Sequence, residues 1–242
     1  MMNDKIISIV KKAQDIVFPR RCPVCDDIVP VGEGLVCDGC RTKIRYISVP
    51  RCRKCSKQIL NPDEMLCEDC KRRKHAYDFG YALYDYQSMK NSIYRFKYRN
   101  RCEYADFYAQ DICKKLSDVI KVMDADSIIP IPLHADKLNS RGYNQAQLIA
   151  EGISKIIKIP VYDSIVTRIR KTVPQKELDI AGRQNNLKKA FNIAPDVVEL
   201  NKTILIDDIY TTGSTIDSVA LELKRHGVGT VFFITLCIGE GI

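Results

Sequence analysis

Ile204-Leu205-Ile206-Asp207-Asp208-Ile209-Tyr210-Thr211-Thr212-Gly213-Ser214-Thr215 is the stretch on which the reading of this chain turns. It passes from an apolar run to two adjacent carboxylates, then to a hydroxyl-rich segment with one glycine, and residues 214–226 continue with helical character. A strand of this kind delivers Asp207 and Asp208 to the carboxyl edge of a sheet, where open α/β sheets bind ligands. Adjacent carboxylates repel, so the pair is costly unless a ribose diol or a magnesium-bearing ligand accepts it. In the segment Thr211, Thr212, Gly213, Ser214, Thr215, the glycine permits close backbone approach, and the free amides of a helix start attract phosphate. An acidic pair beside such a cradle describes a ribose 5-phosphate site. A plain turn capped by Ser214 is the simpler account, but it leaves the two aspartates unexplained. Neither a P-loop nor a dinucleotide-type glycine fingerprint occurs.

Outward from this point, strand-like and helix-like segments alternate. Residues 82–86, 127–132, 165–169 and 230–236 read as strands; residues 88–98, 103–121 and 144–157 read as helices. The alternation predicts an α/β domain, a Rossmann-like parallel sheet covered by helices, over residues 76–242.

Residues 1–75 read differently, as an N-terminal helix followed by a cysteine-rich unit. Eight of the eleven cysteines form four C-x-x-C pairs, Cys22/Cys25, Cys37/Cys40, Cys52/Cys55 and Cys67/Cys70, and the double pair recurs with a period of thirty residues. A repeat of this length is one supersecondary unit used twice. Two residues between thiolates let a tight turn offer both sulfurs to one ion, and two turns complete a tetrahedron, so two structural zinc sites are expected. Equal spacings fit a cross-braced arrangement as well as a sequential one, although the thirty-residue phase favours one zinc per repeat. Cys102, Cys113 and Cys237 stand alone and read as small buried hydrophobes.

Length and composition set the outer bounds. The chain has 242 residues, 45% of them hydrophobic and 28% charged, and no run of apolar residues long enough to span a bilayer. The opening Ile6–Val10 run meets Lys11 and Lys12 and lacks a cleavage site, so the expectation is a cytoplasmic protein with reduced thiols. The formal charge of +8 suggests a nucleic-acid partner. Each zinc bound by four thiolates contributes −2, however, and two such centres bring the holo-protein to about +4.

The 204–215 segment resembles the phosphoribosyl pyrophosphate signature of type I phosphoribosyltransferases, differing from its commonest form by Ile at 206 and 209. Residues 128–134 lead to Arg141-Gly142-Tyr143-Asn144-Gln145, and residues 168–175 lead to Arg183, Asn186 and Ala190-Phe191. With cysteine ribbons in front, the chain resembles the ComF family over nearly its whole length. The resemblance implies a double zinc ribbon joined to a type I phosphoribosyltransferase domain, a role in DNA uptake during natural transformation, and a ComFA-like helicase as partner. It further implies that Asp207 and Asp208 bind ribose hydroxyls, with magnesium reached through water, and that residues 211–215 hold the 5-phosphate. Lys137 and Arg141 fall where the family places its pyrophosphate loop, with a solvated surface pair as the alternative. Residues 171–184 correspond to a mobile flap, with Lys171, Lys176 and Arg183 as pyrophosphate contacts. If the protein is an enzyme, the reaction implied is displacement of pyrophosphate at the anomeric carbon through an oxocarbenium-like transition state. No acceptor is legible, and His134 reads as structural or solvated. Two alternatives stand beside the DNA-uptake reading: an active phosphoribosyltransferase on an unidentified acceptor, and a non-catalytic sensor that binds the ligand and switches a nucleic-acid or protein contact.

One further segment bears on partners. Lys90, Arg95, Lys97, Arg99 and Arg101 interleave with Tyr94, Phe96 and Tyr98. Such a pattern suits single-stranded DNA. The preferred account is a helix burying Ile93 and Phe96, with Tyr94 as an optional third, while its cations stay solvated.

Overall fold

The computed structural model describes residues 19–30, 32–169, 190–194 and 200–239. In chain order its elements are α1 (Asp38–Arg41), α2 (Glu68–Arg72), β1 (Phe79–Asp85), α3 (Tyr86–Tyr98), α4 (Tyr104–Lys115) and α5 (Ser117–Met123). These are followed by β2 (Ser127–Pro130), α6 (Ala135–Arg141), α7 (Gln145–Ile157), β3 (Val166–Arg168), β4 (Phe191–Ile193), β5 (Lys202–Tyr210), α8 (Ser214–Arg225) and β6 (Thr230–Ile238). The predicted N-terminal helix and the 171–184 segment lie outside the described residues.

The expected parallel sheet is present, with strand order β1-β6-β5-β2. Its central strands are buried almost end to end, as a sheet covered on both faces requires. Successive side chains alternate between the faces. Ile204, Ile206, Phe232, Ile234 and Leu236 join one core with Phe96, Tyr108 and Ile149 of the helices α3, α4 and α7. Leu205, Val231 and Phe233 join the other with Val219 and Leu223 of α8.

Local signals explain the helix boundaries. The Asp85 side chain accepts the Ser88 N–H at 3.0 Å and starts α3; Asn144 accepts the Ala146 N–H at 3.1 Å and starts α7. Two expectations change. The 103–121 helix is broken at the buried Leu116, whose N–H closes α4 onto the Ile112 carbonyl at 2.8 Å. The 165–169 strand does not enter the sheet, because β3 pairs antiparallel with β4 instead.

The thirty-residue repeat is visible in the backbone. Cys22 N–H bonds to Asp27 O at 2.8 Å, and Cys52 N–H to Lys57 O at 2.7 Å. Asp26 and Ser56 occupy the same left-handed position, with φ of 68° and 66°. The two copies pack on opposite faces: Cys22, Val29, Val36 and Cys40 belong to the α3/α4/α7 core, whereas Cys52, Cys55, Ile59 and Cys70 belong to the α8 core.

Candidate functional site

The strand β5 carries Asp207 and Asp208 just past Ile206, where its pairing with β2 stops, and runs on beside β6 to Tyr210; Oδ1 of Asp207 accepts the Asp208 N–H at 2.8 Å. Beyond it, Gly213 caps α8 with a φ of +75°, a conformation that favours glycine. A Cβ there would also come within 2.5 Å of the Tyr210 hydroxyl. Thr211 is exposed, and the Thr212 and Ser214 hydroxyls lie 2.7 Å apart. The first turn of α8 therefore opens beside the two carboxylates.

Cations close in from three other elements. Lys97 of α3 reaches Asp208 at 2.8 Å, with both side chains largely buried. Lys137 of α6 is exposed as a residue, but its ammonium is partly desolvated beside Arg168, Arg141 and Lys97, which lowers its pKa, while Asp208 opposes the shift. Arg168 at the end of β3 faces Asp207, and burial pulls its guanidinium pKa down. Burial, reinforced by the Asp208 charge, pushes the Asp207 carboxyl up to about 7. Three basic side chains around two acids form a site suited to a polyanion that also carries hydroxyls or a metal ion.

Arg141 stands at the rim. Its guanidinium donates to Gln145 Oε1 at 2.8 Å and to the Tyr98 hydroxyl at 3.2 Å, and lies 5.0 Å over the Tyr98 ring. The rest of the Arg141–Gln145 motif is structural. Gly142 ends α6 in the left-handed region, the Tyr143 hydroxyl donates to the Phe96 carbonyl, and the Asn144 amide donates to Ile131 O at 3.0 Å. His134 caps α6 through the Asp136 N–H at 3.3 Å, in keeping with its structural reading.

The structure thus brings Asp207, Asp208, Lys137 and Arg141 into one site with the 211–215 loop beside it. Lys171, Lys176 and Arg183 lie outside the described residues. Lys97 and Arg168 are the residues that sequence reasoning missed. The helix α3 buries Ile93 and Phe96 as expected, but Tyr94 is exposed, and three of the five cations are not simply solvated. Lys97 pairs with Asp208, Arg95 donates to Val24 O at 2.7 Å, and Arg101 binds Asp26 at 2.8 Å. A lysine four residues after a buried Ile93 and one after a buried Phe96 carries some signal of facing inward; nothing local marks Arg168.

The cysteines gather sequentially into two tetrads, Cys22/Cys25/Cys37/Cys40 and Cys52/Cys55/Cys67/Cys70, with each tetrad's sulfurs within 4.8 Å of one another. Neighbouring sulfurs stand 3.6 to 3.7 Å apart. That is far beyond a disulfide bond of about 2.05 Å. It is near the edge, about 3.8 Å, of a tetrahedron with Zn–S bonds of about 2.3 Å. The donor sets fit two zinc ions. Burial raises the pKa of the Cys25 and Cys40 thiols, so a metal would bind there by displacing protons. Of the remaining cysteines, only Cys237 is buried as expected; Cys113 is half-buried and Cys102 exposed.

Comparison with known proteins bears on the ribbons and on the family. Residues 13–71 match the double zinc ribbon domain. Competence protein F of Haemophilus influenzae is 30% identical over 87% of this chain and 93% of its own. DNA utilization protein YhgH of Salmonella typhimurium is 26% identical over 92% and 98%, and competence protein ComFC of Bacillus subtilis 28% over 79% of each. Among solved structures, an adenine phosphoribosyltransferase from Leishmania tarentolae shares 15% identity at a TM-score of 0.30, covering 64% of this chain and 76% of that one, values that add nothing to the sheet order itself. With a relative 30% identical and aligned over nearly the whole of both chains, the chain belongs to the ComF family.

Proposed function

We propose that the protein binds phosphoribosyl pyrophosphate with magnesium at the carboxyl edge of its sheet, and that this binding serves DNA uptake. The observation that carries the reading is the acidic pair Asp207–Asp208 set between the Gly213 loop and the cations Lys97, Lys137 and Arg168. The loop amides suit the 5-phosphate and the carboxylates suit the ribose diol. The cations suit the pyrophosphate, with Arg141 at the rim. Magnesium, reached from Asp207 or Asp208 through water, would supply charge neutralisation for the pyrophosphate. If an acceptor is present, Lys137 and Arg168 would stabilise charge developing on the leaving group.

The names of the relatives, competence and DNA utilization proteins, support the DNA side of the reading. On α3, Tyr94 and Tyr98 are exposed and lie 5.3 Å apart with Lys90 and Arg99 exposed nearby, a ledge suited to stacking the bases of single-stranded DNA. A ComFA-like helicase would be the protein partner. One observation favours a sensor as the second reading: the Lys97–Asp208 ion pair sits inside the pocket on the helix that carries this ledge, so a ligand competing for either side chain would be felt along α3.

Calorimetry with phosphoribosyl pyrophosphate and magnesium tests the pocket. The expected result is binding by the wild type and at least about a tenfold loss in Asp207→Asn/Asp208→Asn, equivalent to about 1.4 kcal/mol. Equal binding by both proteins, or by neither, sinks the reading. Recovering the ligand intact after incubation with DNA separates the sensor from an enzyme, which releases pyrophosphate.

A further inference from the structure

We propose that each ribbon is built into a different half of the ligand site. The second ribbon positions the phosphate loop through His75 and Tyr77, and the first positions Lys97 and Tyr98 through Arg95 and Arg101. The inference rests on the pocket reading above and adds that the ribbons are parts of that pocket rather than modules appended to it.

The chain leaving Cys70 runs directly beneath the loop. The His75 side chain is 1% exposed, and its Nδ1 lies 2.5 Å from Oδ2 of Asp217 in the first turn of α8. The other Asp217 oxygen accepts the Ala76 N–H at 2.8 Å, and the Asp217 N–H returns to the Gly213 carbonyl at 2.8 Å. The His75 ring stacks on Tyr77 at 4.8 Å; the Tyr77 hydroxyl meets the Tyr210 hydroxyl at 2.8 Å; and the Tyr210 hydroxyl is the group that leaves no room for a side chain at Gly213. Lys54, beside Cys55, accepts the Gly80 N–H at 3.0 Å and places its ammonium 5.2 Å from the Tyr77 ring centre. The loop is thus backed by a continuous set of contacts that begins at the second tetrad. Within it, His75 Nε2 is buried without a partner among the described residues. An orphaned polar atom costs stability that an apolar residue of similar size would avoid, so packing alone does not call for histidine here.

The first ribbon grips the other wall. Arg95 donates to Val24 O at 2.7 Å and to Pro23 O at 3.3 Å, both within the turn that joins Cys22 to Cys25. Arg101 donates twice to the Asp26 carboxylate, at 2.8 and 3.0 Å, and Tyr104 adds a bond at 2.5 Å. Between these two anchors lie Lys97, on Asp208, and Tyr98, under Arg141. The metal-closing turn of the first ribbon therefore sets where the α3 residues of the site stand.

The two halves can be separated with two probes, ribose 5-phosphate for the loop and magnesium pyrophosphate for the cations, titrated into the zinc-loaded full chain. His75→Gln and Tyr77→Phe should weaken ribose 5-phosphate by about fivefold or more and leave pyrophosphate within about twofold. Arg95→Met and Asp26→Asn should do the reverse. Zinc content and Tm are followed in parallel, and the near-isosteric Tyr77→Phe and Asp26→Asn stay informative if the other two fail to fold. Variants that weaken both probes alike, or neither, overturn the inference. A wild type that binds neither probe removes the pocket itself, an outcome distinct from the first.

Discussion

Asp207 sits where its own chemistry is least comfortable, and two predictions follow from that. Burial and the adjacent Asp208 push its carboxyl from 3.8 up to about 7. A carboxyl raised on folding is held preferentially as the neutral acid, so its contribution to stability is present below its unfolded pKa and lost as pH rises from about 4 through about 7. Asp207→Asn should therefore raise Tm by a few degrees at pH 8 and change it little at pH 5. Melting curves at the two pH values check this, and an equal shift at both would contradict it. The neighbouring ion pair behaves in the opposite manner. Lys97 and Asp208 are only 15% and 14% exposed. Truncating one partner leaves a buried charge, so Lys97→Met should cost about 2 kcal/mol, and Lys97→Met/Asp208→Asn should cost less than the sum of the single changes. A denaturant-based double-mutant cycle measures the coupling; strict additivity would mean that the pair contributes nothing.

At the level of elements, the β5–loop–α8 unit was legible in the sequence because every feature it needs is contiguous: an apolar strand, two acids, a glycine and a hydroxyl-rich helix start. Gly213 offers the sharpest test. Its φ of +75° disfavours any side chain, and the Tyr210 hydroxyl that a Cβ would strike is tied to Tyr77. Gly213→Ala should lower stability by about 2 kcal/mol, seen as a lower urea midpoint with an unchanged slope. Other elements were less legible. Leu116 breaks a long helical pattern because its side chain is buried with its backbone at φ −110°, ψ 19°, off the helical values. Strand β3 has the composition of a sheet strand, yet its partner is β4, more than twenty residues away and beyond the reach of a short hairpin. Lys97 and Arg168 were missed for a related reason. They reach the acidic pair only because crossovers bring α3 and β3 to the same edge, and periodicity within either segment says nothing of that edge.

For the whole molecule, the cysteine spacing foretold the tetrads but not where they pack. One ribbon lies in each core, on opposite faces of a single sheet. Two zinc ions per chain are expected from metal analysis, and a chelator that removes them should expose amides of β5 and β6 to hydrogen exchange as well as those of the ribbons. Protection that persists throughout the sheet would show the ribbons to be independent units. The strand order carries a consequence for synthesis. Strand β6 is inserted between β1 and β5, so residues 230–238 must arrive before β1 acquires its neighbour in the sheet. Each tetrad, by contrast, closes a loop running only from Cys22 to Cys40 or from Cys52 to Cys70. Short loops close early and long-range strand pairing comes late. As the chain leaves the ribosome, metal can therefore secure both ribbons while the sheet still lacks its central strand, and each ribbon waits as a preformed surface for the face it will cover.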